Sequence, residues 1–572
     1  MKNRRWVRLF AMAMMCVMML SGSALASEID MSGATNPNAG LGYYPGTSEA
    51  GAISVEYSNM SVMNPILMTD NTEFSISLHV WDCLVKLDTQ NNLVAGAAES
   101  WESSEDGMKW TFKIREGGKW VNSAGEVVGD VTAHDFVFAW SELLNPTNAA
   151  AYYYFATIFK NAQAYYDYLS GVEGAEEVTL DQVGFRAVDD YTLEIELENY
   201  LPYLLQYLKF EVLTPIYQPF YEEVGAENYG TSPETLLYNG PFYMTDWVPE
   251  YTITTVRNPN WWNAENVTLE KINWVKMRYY AFLGGEMDIV NLTGEQRAAL
   301  EARGFTPSAY VGGYSYYFWV NTLETSDMRS LNLRKAVEAA IDRQQLIDTV
   351  FKNDNKAPDA FSFGISGVAA PTFAEVVVEA NGGEPLYSAN ADPEKAKEYL
   401  AAALEELGYS DASEVKLSIM TSEGTQNELF SKVVQKQLRQ TLGLEVDIEI
   451  LTSTEWRARR NAKEFDICHG GWGPDYNDPM TDLDLFESTG GNNHTGYANP
   501  EYDALLDAAR QEVDPVAREQ IFVQLEFMLK EDLPIIPIYW CYEDYAVSEK
   551  LVSGYARMPF QGYNLIYTRL AD

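Results

Sequence analysis

One run in the C-terminal half of this 572-residue chain restricts the fold more than any other. Residues 415–419 (VKLSI) read as a strand, 427–442 as a helix and 444–450 as a second strand. A strand, a helix and a strand at that spacing form a βαβ unit, with parallel strands in one sheet and the helix across its face. The C-terminal half is therefore α/β. Elsewhere the period of the apolar residues places further elements. Trp110, Phe112 and Ile114 alternate with Thr111, Lys113 and Arg115, the period of two of a half-buried strand. Thr132 caps a helix that turns Phe136, Val137 and Trp140 inward. Helical spacing at Phe74, Leu78, Trp81 and Leu84 predicts a helix over much of 69–87, passing into a short strand. Residues 333–350 predict one amphipathic helix with Ala336, Val337, Ala340, Ile341, Leu346 and Ile347 on its apolar side. Asp392-Pro393-Glu394 starts a helix that should stop at Gly408, proline suiting the first turn and glycine the C-terminal cap. Tyr238-Asn239-Gly240-Pro241 makes a turn before a strand pair around Trp247 and Ile253, and Asn258-Pro259-Asn260-Trp261-Trp262 makes another.

The N-terminus sets the compartment. Lys2, Arg4, Arg5 and Arg8 precede an apolar run from Leu9 to Leu20, and Ala24-Leu25-Ala26 is an A-x-A cleavage site. Charge, short apolar core and cleavage site in that order read as a secretory signal peptide over 1–26, with Ser27 as the mature terminus. Serine stands where a lipoprotein box needs its cysteine, so the expected product is exported without a lipid anchor. No later segment is apolar for long enough to span a bilayer. Residues 27–50, rich in Ser, Gly, Asn and Pro, read as a flexible leader. The formal charge of −43 opposes binding to nucleic acid or anionic headgroups. Three widely spaced cysteines remain after cleavage, Cys83, Cys468 and Cys541, and they read as buried free thiols rather than a disulfide framework.

Four ordered blocks carry a resemblance. Ala98-Glu99-Ser100-Trp101 leads to Trp110-Thr111-Phe112 and Arg115-Glu116-Gly117. Tyr238-Asn239-Gly240-Pro241-Phe242 leads to Asp246-Trp247-Val248-Pro249 and Arg257-Asn258-Pro259. Leu333-Arg334-Lys335-Ala336 leads to Ala340-Ile341-Asp342-Arg343. Gly471-Trp472-Gly473-Pro474-Asp475-Tyr476 leads to Asn499-Pro500-Glu501-Tyr502-Asp503. Together they resemble the extracytoplasmic solute-binding proteins of family 5, which deliver oligopeptides and dipeptides to ABC importers. The resemblance implies an α/β, two-lobed periplasmic-binding-protein-like fold of type II, with an extra subdomain on lobe I and a ligand cleft between the lobes. On that pattern lobe I takes 51–87, 214–312 and 538–572, the extra subdomain 88–213, and lobe II 313–537. It also implies a short peptide as ligand, ABC permease subunits as partners, a monomeric state, and neither cofactor nor catalysis.

Asp475 matches the family's ligand-ammonium aspartate, although a Pro/Asn/Asp-rich loop equally suits it as a turn cap. Trp472, Tyr476 and the Gly471 and Gly473 backbone would lie against the ligand chain, where glycine permits close approach but can also mark a bulge. His469 stands where some relatives carry a carboxylate-binding arginine, and a structural histidine fits as well. His79 and Cys83, four apart, have a metal-like spacing without a third ligand, so core packing is the reading there. Nucleophile-elbow, H-E-x-x-H, P-loop and dinucleotide motifs are absent from the sequence. The many aromatic residues keep an oligosaccharide, or another small solute, open as the alternative ligand.

Overall fold

The computed structural model describes residues 24–25, 29–42, 44–57, 60, 62–364, 372–474, 476–558 and 562–571, and these fall into two compact units. The first takes the described residues of Met1–Met31, Asn59–Lys271 and Leu565–Tyr567; the second takes those of Ser32–Ser58, Ile272–Asn564 and Thr568–Asp572. Most of the predicted signal sequence lies outside the described residues; Ala24 and Leu25 pair antiparallel with Trp101 and Ser100.

The second unit holds the predicted βαβ run inside a larger sheet. Its strands are β1 (Ala52–Glu56), β2 (Lys271–Val275), β3 (Ile289–Leu292), β4 (Ser308–Val320), β5 (Leu417–Ser422), β6 (Val446–Leu451), β7 (Ile467–Trp472) and β8 (Ile535–Val547). They lie in the order β2-β1-β3-β8-β4-β7-β5-β6. β5 pairs parallel with β6 and with β7, as two successive crossovers require. The long antiparallel pair β4–β8 joins this parallel end to the rest of the sheet. Helices α1 (Leu331–Ala340), α2 (Arg343–Leu346), α3 (Pro393–Leu407), α4 (Thr425–Leu442), α5 (Ser453–Asn461) and α6 (Pro515–Asp532) belong to the same unit. A core of Phe318, Val337, Leu400, Phe430, Val434, Leu438, Ile467 and Ile536 binds α1, α3 and α4 to the strands. α3 runs between the caps its sequence predicts: the Asp392 side chain accepts the Lys395 N–H, and Gly408 takes the left-handed conformation at φ 76°.

The predicted helix over 333–350 is broken. Ile341 is extended, and α2 restarts at Asp342, whose side chain accepts the Gln345 N–H at 2.8 Å. Gln437 on α4 fixes the break by bonding both the N–H and the C=O of Asp342, at 3.2 and 3.0 Å. Those bonds replace the helical ones that apolar periodicity alone cannot see lost. The stretch expected to be a flexible leader is tied down where it is described. Asn36 is buried and donates to Ser548 O and Leu551 O, both at 2.8 Å, and the Tyr44 ring packs against Phe282 and Phe305.

The first unit contains the predicted strand, Lys109–Ile114, in an antiparallel sheet with Ala98–Ser103, Thr192–Glu196 and Phe185–Asp189. Helix Ala133–Leu143, entered from Thr132, brings Phe136 and Trp140 into its core. The predicted strand pair is the hairpin Phe242–Val248/Thr252–Arg257, in which Trp247 lies opposite Ile253. The helix expected through Leu84 stops earlier, at Val80, because Gly240 N–H bonds Val80 O at 3.0 Å and the Gly240 backbone packs there. His79 and Cys83 therefore do not share a helix. His79 Nδ1–H donates to Ser75 O and Nε2 accepts the Leu565 N–H; the Cys83 thiol lies beside Thr214 Oγ1 and Phe210 O. All three described cysteines are free, Cys83 and Cys468 buried and Cys541 half-buried. Among the described residues no helix is long and apolar enough to cross a membrane.

Candidate functional site

The predicted ligand residues sit on β7 or just beyond it, so the alternation of a strand sorts them. His469 lies opposite Phe318, Gly471 opposite Tyr316 and Trp472 opposite Ser315 in the β4–β7 register. Ile467 and His469 face α4: Ile467 belongs to its core, and the His469 ring stacks on Phe430 at 4.0 Å and 16°. Cys468, Gly470 and Trp472 have the opposite parity, and on that side Gly470 lies against Trp319 and Trp456. The motif read as one ligand surface is therefore divided between two faces of the sheet.

His469 is 5% exposed, and burial pushes its imidazole down to about 3, so it is neutral at ordinary pH. Its Nδ1 lies 3.4 Å from Thr421 Oγ1, and its Nε2 is buried without a hydrogen-bond partner among the described residues. A neutral imidazole in an aromatic stack is a poor counter-charge for a carboxylate. Trp472 is half-buried, and its Nε1 is likewise a buried donor without a partner among the described residues.

The glycines serve the protein's own aromatic rings. A Cβ on Gly470 would stand 2.3 Å from Trp319 and 3.0 Å from Trp456; one on Gly473 would stand 2.1 Å from Tyr314. At Gly471 it would meet Ser315 O at 2.6 Å. The close approach that glycine permits is used first inside the unit, between β7, β4 and α5.

Asp475 lies outside the described residues. Tyr476 is half-buried in the bend that follows, where its C=O accepts the Asp478 N–H at 3.0 Å. That bend is pinned by a pair the sequence reading missed: Arg518 on α6 grips both Asp478 oxygens, at 2.5 and 2.9 Å, and both side chains are nearly buried. Arg518 also lies over the Phe522 ring at 4.4 Å. No local signal marks this pair, whose members are 40 residues apart. A cavity of about 550 Å³ in the first unit, lined by Lys109, Lys160, Arg186, Glu194 and Glu196 among others, contains none of the predicted residues. Its charges satisfy one another, Lys160 with Glu196 at 2.8 Å and Arg186 with Glu194 at 2.5 Å.

The family described as bacterial extracellular solute-binding proteins, family 5 Middle, matches residues 92–494. The chain is 30% identical to the oligopeptide-binding protein OppA of Bacillus subtilis over 515 residues, which cover 86% of this chain and 87% of that one. Among solved structures, the substrate-binding domain of an oligopeptide ABC transporter from Bacillus anthracis superposes with a TM-score of 0.71 at 28% identity, covering 92% of this chain and all of that one. OppA of Listeria monocytogenes bound to peptide gives 0.70 at 25% identity, with 92% and 100% covered.

Proposed function

The chain belongs to the bacterial extracellular solute-binding proteins of family 5, and from that premise we propose that it captures short peptides outside the cytoplasm and hands them to the permease of an ABC importer. The observation that carries the ligand class is the identity, along most of both chains, with an oligopeptide-binding protein. The protein binds and releases without turnover, as a monomer whose mature form begins at Ser27.

A carrier of broad specificity grips the peptide main chain and leaves the side chains loosely held. Main-chain recognition needs unsatisfied donors and acceptors along a strand. The Trp472 Nε1 at the end of β7, buried without a partner among the described residues, supports such a role, donating to a peptide carbonyl. Asp475 is assigned the peptide ammonium, since an ammonium taken out of water needs a carboxylate beside it. Gly471, Gly473 and Tyr476 shape the wall next to it. His469 supplies a neutral ring at most, so no carboxylate anchor is assigned there and peptide length is set loosely.

Native purification, release of the bound ligand and mass spectrometry test the reading. A ladder of short peptides is expected; a sugar or a single other metabolite would overturn it. Asp475→Ala should weaken peptide binding roughly 100-fold in calorimetry with the melting temperature unchanged, the scale for removing one partner of a desolvated charge pair. Equal affinity would remove Asp475 from the site.

A further inference from the structure

The sheet of the second unit is interrupted along its longest strand pair. Val311 on β4 pairs with Tyr542 on β8 and Ser315 pairs with Trp540, so Gly312, Gly313 and Tyr314 stand opposite Cys541 alone. Gly313 takes φ 77°, a left-handed conformation that suits glycine. Extra residues on one strand break the ladder and bend it. A separate apolar core lies on each side of this bulge. Phe282, Val290, Leu300, Phe305 and Ala546 belong to one; Phe318, Val320, Phe351, Ile536 and Ile538 belong to the other.

Residues 352–356 run between these two cores. They leave Phe351 in the second core and take the edge of β8 beyond Asp544, where β3 ends. Their bonds fall on either side of Cys541. Trp540 N–H donates to Lys356 O at 2.9 Å and Lys356 N–H to Trp540 O at 3.3 Å, while Tyr542 N–H donates to Asn355 Oδ1 at 2.8 Å. Helix Gly294–Glu301, which carries Leu300 of the first core, holds the same segment from its other side. Its Arg297 guanidinium binds Asp354 of the segment, Asp544 on β8 at 2.6 Å and Glu301 on its own helix at 2.9 Å. Lys352 and Glu295 also meet, at 3.4 Å, but both are exposed to water, where such pairs contribute little. Arg297 is half-buried against the buried Asp544, so its charge is less screened.

We propose that residues 352–356 are a strap across the bulge and that the Arg297–Asp354 ion pair is its clasp: fastened, it holds the two cores at the angle seen here; released, it lets them turn about Gly312-Gly313. Arg297 keeps Asp544 and Glu301 when Asp354 lets go, so opening the clasp leaves no guanidinium unpaired. An angle that one ion pair holds or releases also sets how much of a ligand's binding energy goes into rearranging the unit.

The test reads that angle as a distance. Spin labels are placed on Tyr280→Cys and Lys436→Cys in a Cys541→Ser background, the other two described cysteines being buried. Both labelled positions are exposed, one on helix Tyr279–Leu283 of the first core and one on α4 of the second. Double electron–electron resonance at about 10 mM salt should show one dominant, narrow distance. Asp354→Ala should raise the share of other distances roughly fivefold, and Asp354→Glu should restore the narrow one. Glu301→Ala takes a carboxylate from the same arginine without touching the strap, and should leave the distance narrow. About 1 M salt should broaden the labelled parent and change Asp354→Ala little, since ions screen the clasp. A parent already broad at low salt, or an Asp354→Ala distribution as narrow as the parent's, would overturn the clasp. Equal broadening in Glu301→Ala would trace the effect to charge around Arg297 and overturn the strap. The measurement needs no ligand, so its outcome stands apart from the peptide reading.

Discussion

Two aromatic segments, one in each unit, treat their buried polar atoms in opposite ways. In the first unit Trp261 and Trp262 both donate to Asp82, at 2.7 and 2.8 Å, and the same carboxylate takes the Lys86 ammonium at 2.5 Å. Nearby, both ring nitrogens of His79 have backbone partners. In the second unit the Trp472 indole N–H and the His469 Nε2 are buried without partners among the described residues. Buried polar groups in folded proteins are nearly always paired, so a donor left over needs an explanation. The first segment resembles the family because it builds the unit. The second keeps a buried indole N–H without a partner among the described residues, as Trp247 in the first unit and Trp456 in the second also do, so a variant must separate a ligand's donor from a spare one.

The largest effect comes from breaking the satisfied side. Asp82→Ala leaves the buried Lys86 ammonium without its carboxylate and two indoles without their acceptor. It should cost about 3–5 kcal/mol, the scale of an uncompensated buried charge. Urea denaturation checks this. A loss under about 1 kcal/mol would mean that those groups find other partners.

The histidines sharpen the contrast through pH. His469, held near 3 when folded, takes a proton first in the unfolded chain, whose histidines titrate near 6.5. Stability present above pH 6.5 is therefore lost as pH falls toward 3, at about 1.4 kcal/mol per pH unit. His79, also pushed to about 3 by burial, does the same in the first unit. His469→Phe keeps a ring on Phe430 and discards the unpaired nitrogen. It should hold its stability at pH 7 and gain up to about 3 kcal/mol over the wild type near pH 4.5. Denaturation curves across that range with equal acid slopes would refute it. A smaller change tests the packing of β7 itself. Gly470→Ala drives a methyl into Trp319 and Trp456 and should cost about 1–3 kcal/mol of stability, read by thermal unfolding.

What the sequence makes legible follows the range of the interaction. The βαβ run, the two caps of α3 and the strand pair around Trp247 and Ile253 are local, and each appears in the structure. The break at Asp342 depends on Gln437, and the pinned bend beyond β7 depends on Arg518; neither has a local trace. For the site, the motif carried no strand signal: its first residues lie on β7, where alternation sets His469 and Trp472 on opposite faces, and the glycines turn out to seat internal rings. Residue types and order were readable; which face they take, and against what, depends on partners far along the chain.

The finest test removes one indole N–H on each side of the comparison. Trp262→Phe and Trp472→Phe each remove an indole N–H and keep an aromatic ring. Trp262 loses a bond to a buried carboxylate, so its variant should be less stable by about 1–2 kcal/mol with peptide affinity unchanged. Trp472 loses a donor that bonds nothing among the described residues, so stability should move by under about 0.5 kcal/mol. Its peptide affinity should fall roughly tenfold, the worth of one hydrogen bond to a ligand carbonyl in a dry site. Calorimetry and melting of the two variants separate the roles. If Trp472→Phe costs stability as Trp262→Phe does and leaves affinity alone, the unpaired indole is part of the frame and the ligand lies elsewhere along β7.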